Sequence, residues 1–234
     1  MFFLFFLASM AMAIESKEIS WKGARYRHAL IDLQKWSIEI ASASKGSFSM
    51  KEAMMRKNQQ GYTPMLAMNA GMFHPDYSAV GLLIEEGHRK QELSLAEGRG
   101  NFFLKPNGVF FIDASGNAQI VESSVLKDDT DIRWATQSGP LLLSDGDYHP
   151  SIRAESKNRR IRNGLCIDAS QNVHFILSVE TVNFYHLASL MKEELNCSDG
   201  LYLDGVISEW AEKGDESYSS AALGPILVVY PLEK

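Results

Sequence analysis

Five polar residues of this chain each end an apolar, strand-like run and lie within a few residues of a glycine: Asn69, Gln137, Arg162, Asp204 and Ser208. A strand end beside flexible backbone both fixes a side chain and leaves it reachable. Together they supply one guanidinium, one carboxylate, two amides and a hydroxyl. Gathered in one cleft, such groups could bind an anion and bring a nucleophile or general base to an adjoining carbon. Each also has a plainer reading. Asn69-Ala70-Gly71 suits a tight turn, Asp204 can cap one, and Arg162 closes the basic run that holds Lys157, Arg159 and Arg160.

The elements that would position these residues can be read from periodicity. Asn183 is placed to cap a helix whose Phe184, Leu187, Leu190, Met191 and Leu195 recur at three- and four-residue steps. After turn chemistry at Asn196, Ser198, Asp199 and Gly200, the short apolar Leu201-Tyr202-Leu203 delivers Asp204. Met65 to Met68 is expected to be a buried strand leading into Asn69, and Gly164 to Ile167 another that begins beside Arg162. Gln137-Ser138-Gly139-Pro140 should interrupt two strands, Arg133 to Thr136 and Leu141 to Leu143. His28 to Leu33 and Trp36 to Ala41 read as an antiparallel hairpin. Ser49 with Glu52 forms a capping box for a helix through about Gln59. Further strands are expected at Ala79 to Glu85, Gly108 to Asp113, Val173 to Val179 and Pro225 to Tyr230, with Asp168 in a hairpin turn. Many strands and few helices indicate an α+β fold, a single domain built on a mostly antiparallel mixed sheet.

With 234 residues, 45% of them hydrophobic, the chain can bury a full core. A net charge of −6 argues against a nucleic-acid partner. Residues 1–13 are apolar and end in Ala11-Met12-Ala13, the small-x-small pattern of a cleaved signal peptide, although no basic residue precedes them. At about 1.5 Å per residue they fall short of the roughly 30 Å of hydrocarbon, so no stable membrane span is expected after processing. A periplasmic or secreted location follows. Such a compartment would permit a bridge between Cys166 and Cys197, but Cys166 lies within an apolar run, where a buried free thiol is the expectation. Six scattered histidines, of which His74 follows the Asn69 turn, show no ligand spacing. No cofactor is implied, no metal site is marked, and a divalent cation near Asp204 is only compatible with the composition.

Four short segments, taken in order, resemble the phosphodiester glycosidase family. Asn69-Ala70-Gly71-Met72-Phe73 is similar to its Asn-Gly-Gly-Phe-Phe, and Gln137-Ser138-Gly139-Pro140-Leu141 to its Gln-Ser/Ala-Gly-Pro-Leu. Arg162-Asn163-Gly164 stands at its Arg-rich strand start, and Leu203-Asp204-Gly205 at its Leu-Asp-Gly-Gly-Gly-Ser. The resemblance runs from about Met65 to Pro231. Ala70 replaces a glycine, Cys166 stands where glycine is usual, and Val206-Ile207 replace the last two glycines before Ser208, which places the chain nearer a small exported bacterial branch.

The resemblance implies hydrolysis of a glycan or small-molecule sugar-1-phosphodiester at the glycosidic carbon. Asp204, Arg162 and Asn69 would be catalytic, with Arg162 on the phosphate and Asp204 as nucleophile or base. Gly71, Gln137, Ser138, Gly139, Asn163, Gly205 and Ser208 would bind substrate, some of them through backbone N–H groups. Glu209 is a weaker candidate for a second carboxylate. The alternative is a non-catalytic carbohydrate- or envelope-binding module on the same fold, which the missing glycines favour.

Overall fold

The structure is a computed structural model that describes residues 13–43, 45–205, 207–215 and 220–232. The expected leader lies, but for Ala13, outside the described residues. In chain order the elements are β1 (Glu15–Trp21), β2 (Ala24–Ile31), β3 (Trp36–Ala41), α1 (Met50–Gln59), β4 (Leu66–Asn69), β5 (Leu83–Glu85), β6 (His88–Gln91), β7 (Gly108–Asp113) and β8 (Ala118–Glu122). They continue with β9 (Ile132–Ser138), β10 (Leu141–Ser144), β11 (Asp147–Tyr148), β12 (Asn163–Asp168), β13 (Val173–Ser178), α2 (Phe184–Ser189), β14 (Cys197–Tyr202), β15 (Trp210–Glu212) and β16 (Ile226–Pro231).

The α+β expectation holds in its antiparallel character, but among the described residues three sheets replace the single one. The first has the order β1-β2-β13-β12-β14-β10-β11, the second β15-β4-β16-β3, and the third β6-β5-β9-β7-β8. Alternation explains how they pack. In β16, Leu227 and Val229 face the main core, whereas Ile226 and Val228 face α1. In β12, Leu165 and Ile167 join the main core and Cys166 joins the layer beneath α2. The main core therefore lies among the sheets, with Ile38, Met68, Phe110, Trp134, Leu165 and Leu227 at its centre.

Both helices start where their caps predict. The Ser49 side chain accepts from Glu52 N while the Glu52 carboxylate accepts from Ser49 N, and Asn183 Oδ1 accepts from His186 N. The second helix is α-helical only to Ser189 and then widens into a π turn, Leu190–Glu194.

Several local expectations are corrected. The proposed hairpin of His28 to Leu33 with Trp36 to Ala41 is absent: β2 pairs with β1 and β13, whereas β3 enters another sheet against β16. The real hairpin is β1–β2, turned by Lys22 at φ 43° and Gly23 at φ 83°. Gln137 and Ser138 do not interrupt a strand but finish β9, and the chain crosses from the third sheet to the first at Gly139-Pro140. Ser198, Asp199 and Gly200 lie inside β14, leaving only Asn196 in the turn at φ 54°.

The thiol expectation also fails. Cys166 and Cys197 form a disulfide with a Cα–Cα separation of 5.9 Å, because β12 and β14 are paired neighbours: Cys197 lies opposite Asp168, two residues along β12 from Cys166, past an irregularity in the register.

Candidate functional site

The end of the β12–β14 pair brings the separated motifs together. Gly164 faces Tyr202 and Leu165 faces Leu201; continued by two residues, that register sets Arg162 across from Asp204 on one face. Asn163 alternates to the opposite face, toward β4.

On that opposite face Asn163 is a buried bridge. Its Nδ2 donates to Asn69 Oδ1 at 2.9 Å and to Asn69 O at 3.2 Å, and its Oδ1 accepts the Asp204 N–H at 2.9 Å. Asn69 Oδ1 also accepts the Glu209 N–H at 2.8 Å, and the Ser208 hydroxyl donates to Asp204 O at 3.0 Å. The backbone on both sides of Asp204 is thus tied to β4 and β12. Asn69 itself is buried, and its Nδ2 has no hydrogen-bond partner among the described residues.

On the helix-covered face Arg162 is fully buried, an arrangement that costs several kcal/mol unless the charge is compensated. Its guanidinium lies 3.8 Å over the Phe184 ring and 5.3 Å from the centre of Tyr202. Nε donates to Val182 O at 2.9 Å and Nη2 to Asn158 O at 3.0 Å. Nη1 has no hydrogen-bond partner among the described residues. Burial lowers the Arg162 pKa from its ordinary value while the adjacent Tyr202 hydroxyl acts against that shift. Tyr202 feels both charged groups: its phenol is pushed up to about 12 by burial, with Arg162 opposing and Asp204 reinforcing. Arg162 and Asp204 therefore both lie near enough to Tyr202 for their charges to reach its hydroxyl. Asp204 is half-buried, as are Ser208 and Glu209.

Other expected contacts turn out to hold the scaffold. Gln137 is buried with its amide saturated: Oε1 accepts from Leu82 N and Ser94 N, each at 2.9 Å, and Nε2 donates to Ser94 O at 2.7 Å and Ser123 Oγ at 3.0 Å. The Gly71 N–H, expected as a donor toward a ligand, donates instead to Thr136 Oγ1 at 3.1 Å. A Cβ there would sit 2.4 Å from Gln137 O, so glycine is needed for this close approach. Ser138 Oγ donates to Leu203 O at 2.6 Å and braces the Asp204 strand from behind. Gly139 packs against Asn107, where a Cβ would meet another Cβ at 2.7 Å. Gly205 is dictated by Tyr202, whose hydroxyl lies 1.9 Å from where a Cβ would be. His74 is exposed.

Tyr202 and Phe184, which enclose the guanidinium, escaped the sequence reading because both looked like ordinary core residues. The available signal was alternation, since Tyr202 lies two residues before Asp204 and shares its face. Among the described residues, no group of three or more His, Cys, Asp or Glu side chains is placed to hold a metal ion, and no helix is long and apolar enough to cross a membrane.

A family model described as phosphodiester glycosidase matches residues 62–211, which contain all four motifs. The chain belongs to the phosphodiester glycosidase family. A relative, the uncharacterized Escherichia coli (strain K12) protein YigE, is 42% identical over 157 residues, which are 67% of this chain and 61% of that protein. This chain thus aligns with less than two thirds of that relative's length. Among solved structures, the catalytic domain of zebrafish N-acetylglucosamine-1-phosphodiester alpha-N-acetylglucosaminidase, auto-inhibited by its pro-peptide, superposes with a TM-score of 0.65 at 14% identity. That match covers 94% of this chain and 84% of the zebrafish chain. A Burkholderia pseudomallei K96243 protein described as exported gives 0.59 at 11% identity, covering 89% of this chain and 74% of its own. At these identities the two structures establish the fold.

Proposed function

We propose that this phosphodiester glycosidase family member is an exported hydrolase of a sugar-1-phosphodiester, cleaving at the glycosidic carbon. The observation that carries the reading is that the half-buried Asp204 lies across from Arg162 and is tied through Asn163 to Asn69, and that Arg162 Nη1 and Asn69 Nδ2 are buried N–H donors without partners among the described residues. Buried donors of this kind are costly unless a ligand completes them.

A phosphate monoester leaves readily, so cleavage needs less general-acid help than ordinary glycoside hydrolysis with its two carboxylates. Asp204 attacks the anomeric carbon or activates the water that does. Arg162 places its positive charge beside the departing phosphate and offers Nη1, because Nε and Nη2 are engaged by carbonyl groups. Arg162 has no exposed surface, so direct contact with the phosphate requires neighbouring side chains to move aside. Ser208 orients the Asp204 backbone, and Asn163 holds Asn69 and Asp204 in register.

The test is turnover of a panel of sugar-1-phosphodiesters by the wild type and by Asp204→Asn. Wild-type hydrolysis that falls at least a thousandfold in the variant, with binding retained, supports the assignment. A wild type that binds these compounds and hydrolyses none would instead be a binding module.

A further inference from the structure

Away from Asp204 the molecule has a deep trough between the α1–β3 side and the β5–β6–β9 side. A cavity of about 740 Å³ opens into a second of about 260 Å³ with which it shares Arg56, Glu85 and Lys90. That one adjoins a third of about 350 Å³ through Glu39, Lys57, Gln60, Glu86 and Trp134.

The two ends of the trough differ chemically. At the far end Lys57 is neutralised within the protein: it pairs with Glu39 and lies 4.2 Å over Tyr62 and 3.8 Å over Tyr230. At the large end Lys45, Arg56 and Lys90 line the cavity, and among the described residues none of the three has an ion-pair partner. Arg56 is nevertheless held in place, donating Nη2 to Ser42 O at 2.7 Å with its guanidinium 4.3 Å over Phe48. Of the two carboxylates in this cavity, Asp76 is occupied by the Ser78 hydroxyl and N–H at 2.7 and 3.1 Å. The other, Glu85, has a buried Oε1 with no hydrogen-bond partner among the described residues. Burial raises the Glu85 pKa even though a hydrogen bond from the Ser42 side chain, then Arg56 and Lys90, oppose the shift.

We propose that this cavity is a second binding site, for a sugar unit that carries a phosphate group. Lys45, Arg56 and Lys90 outnumber the two carboxylates that line the cavity, Asp76 and Glu85, and this excess of positive charge attracts a phosphate, to which Arg56 presents donors fixed in advance. A bare phosphate would leave most of 740 Å³ unfilled and would meet Glu85 as a repelling group. A phosphorylated sugar fills the space and gives Glu85 Oε1 a hydroxyl to bond, completing the unpartnered atom. The Tyr77 ring, stacked on Phe73 at 5.9 Å, forms a wall against which the sugar can lie. This inference does not rest on the catalytic reading. The loop that leaves β4 at Asn69 lines the cavity from Asp76 to Ala79.

The test is isothermal titration calorimetry on the intact protein with glucose 6-phosphate, glucose and inorganic phosphate as probes. Wild type should bind glucose 6-phosphate at least tenfold more tightly than either of the others. Lys45 and Lys90 are exposed, so K45E/K90E should keep the wild-type circular dichroism spectrum while losing at least tenfold in affinity. Glu85→Gln removes the group that repels a bare phosphate, so it should strengthen inorganic phosphate and narrow the preference for glucose 6-phosphate over it. Asp204→Asn, which disables the catalytic reading, should bind glucose 6-phosphate as wild type does. No heat from glucose 6-phosphate with the wild type, K45E/K90E affinity within twofold of wild type, or loss of binding in Asp204→Asn would each overturn the proposal.

Discussion

Asn163 Nδ2 donates to Asn69 Oδ1 at 2.9 Å, joining two residues 94 positions apart at the point where β12 and β4 approach one another. Through its other amide atom Asn163 also accepts the Asp204 N–H, so one side chain sets the spacing between both strands and the carboxylate. Asn163→Ala should leave Asp204 N and one bond of Asn69 Oδ1 without a buried partner, costing about 2–4 kcal/mol by urea denaturation. Asn163→Asp retains an acceptor for Asp204 N but buries a carboxylate against the Asn69 oxygens, so at neutral pH it should be at least as destabilising as Asn163→Ala.

Arg162 is not interchangeable with lysine at this site. Its planar group lies against Phe184 and donates to two carbonyls at once. An ammonium cannot reproduce both that stacking and that donor pattern. Arg162→Lys keeps the charge and should lower kcat/KM for a sugar-1-phosphodiester by roughly 30- to 100-fold, equivalent to about 2–3 kcal/mol. An unchanged kcat/KM would show that charge alone suffices there.

Gly205 and Tyr202 form a steric pair. Gly205→Ala puts a methyl group 1.9 Å from the Tyr202 hydroxyl, a clash that must displace the segment carrying Asp204. Stability should drop by about 1–3 kcal/mol, with a loss of turnover. Tyr202→Phe removes the offending oxygen, although its ring carbon would still lie 3.0 Å away. The double variant should therefore recover part of the lost stability, giving a coupling energy of about 0.5–3 kcal/mol in a double-mutant cycle.

What the sequence disclosed was periodicity and punctuation; what it withheld was partnership. Asn69, Arg162, Asp204 and Ser208 stood out because each borders an apolar run near a glycine, and the capped helix starts at Ser49 and Asn183 were legible because capping is local. Gln137 has the same local appearance as Asn69. Its role is decided by Leu82 and Ser94, 55 and 43 residues away, whose backbone groups saturate its amide. The apparent hairpin of β2 with β3 failed similarly, because proximity in sequence cannot reveal that β3 pairs with β16. Cys166 looked like a buried apolar thiol because nothing local announces that β14 will lie beside β12.

That disulfide closes a 31-residue separation across the strand pair whose other end carries Arg162 and Asp204. Chain-entropy arguments assign such a closure about 3–4 kcal/mol, mainly through restriction of the unfolded chain. Cys166→Ala/Cys197→Ala should lose about that much in a denaturant titration. Because Arg162 and Asp204 are also held by Asn163, Val182 and Asn158, the folded fraction should keep a KM close to wild type. A large KM change at unchanged fold would show that the bridge sets the site geometry directly.

A buried chain of side chains on the same sheet sets the acid response. His28 Nε2 lies 2.8 Å from His174 Nδ1, and His174 Nε2 lies 3.1 Å from Asp168 Oδ2. Burial, then His174 and Lys17, push the His28 pKa down to about 4, and burial also lowers that of His174 although Asp168 opposes the shift. The folded state thus resists protons that the unfolded chain accepts at an ordinary histidine pKa of about 6.5. Stability is therefore unaffected by His28 above that value, declines as pH falls from about 6.5 to about 4, and loses on the order of 3 kcal/mol in total from this residue. Urea titrations at pH 7 and pH 4.5 measure the decline. His28→Gln, which cannot take up a proton, should flatten most of it, and an equally steep decline in that variant would place the acid sensitivity elsewhere.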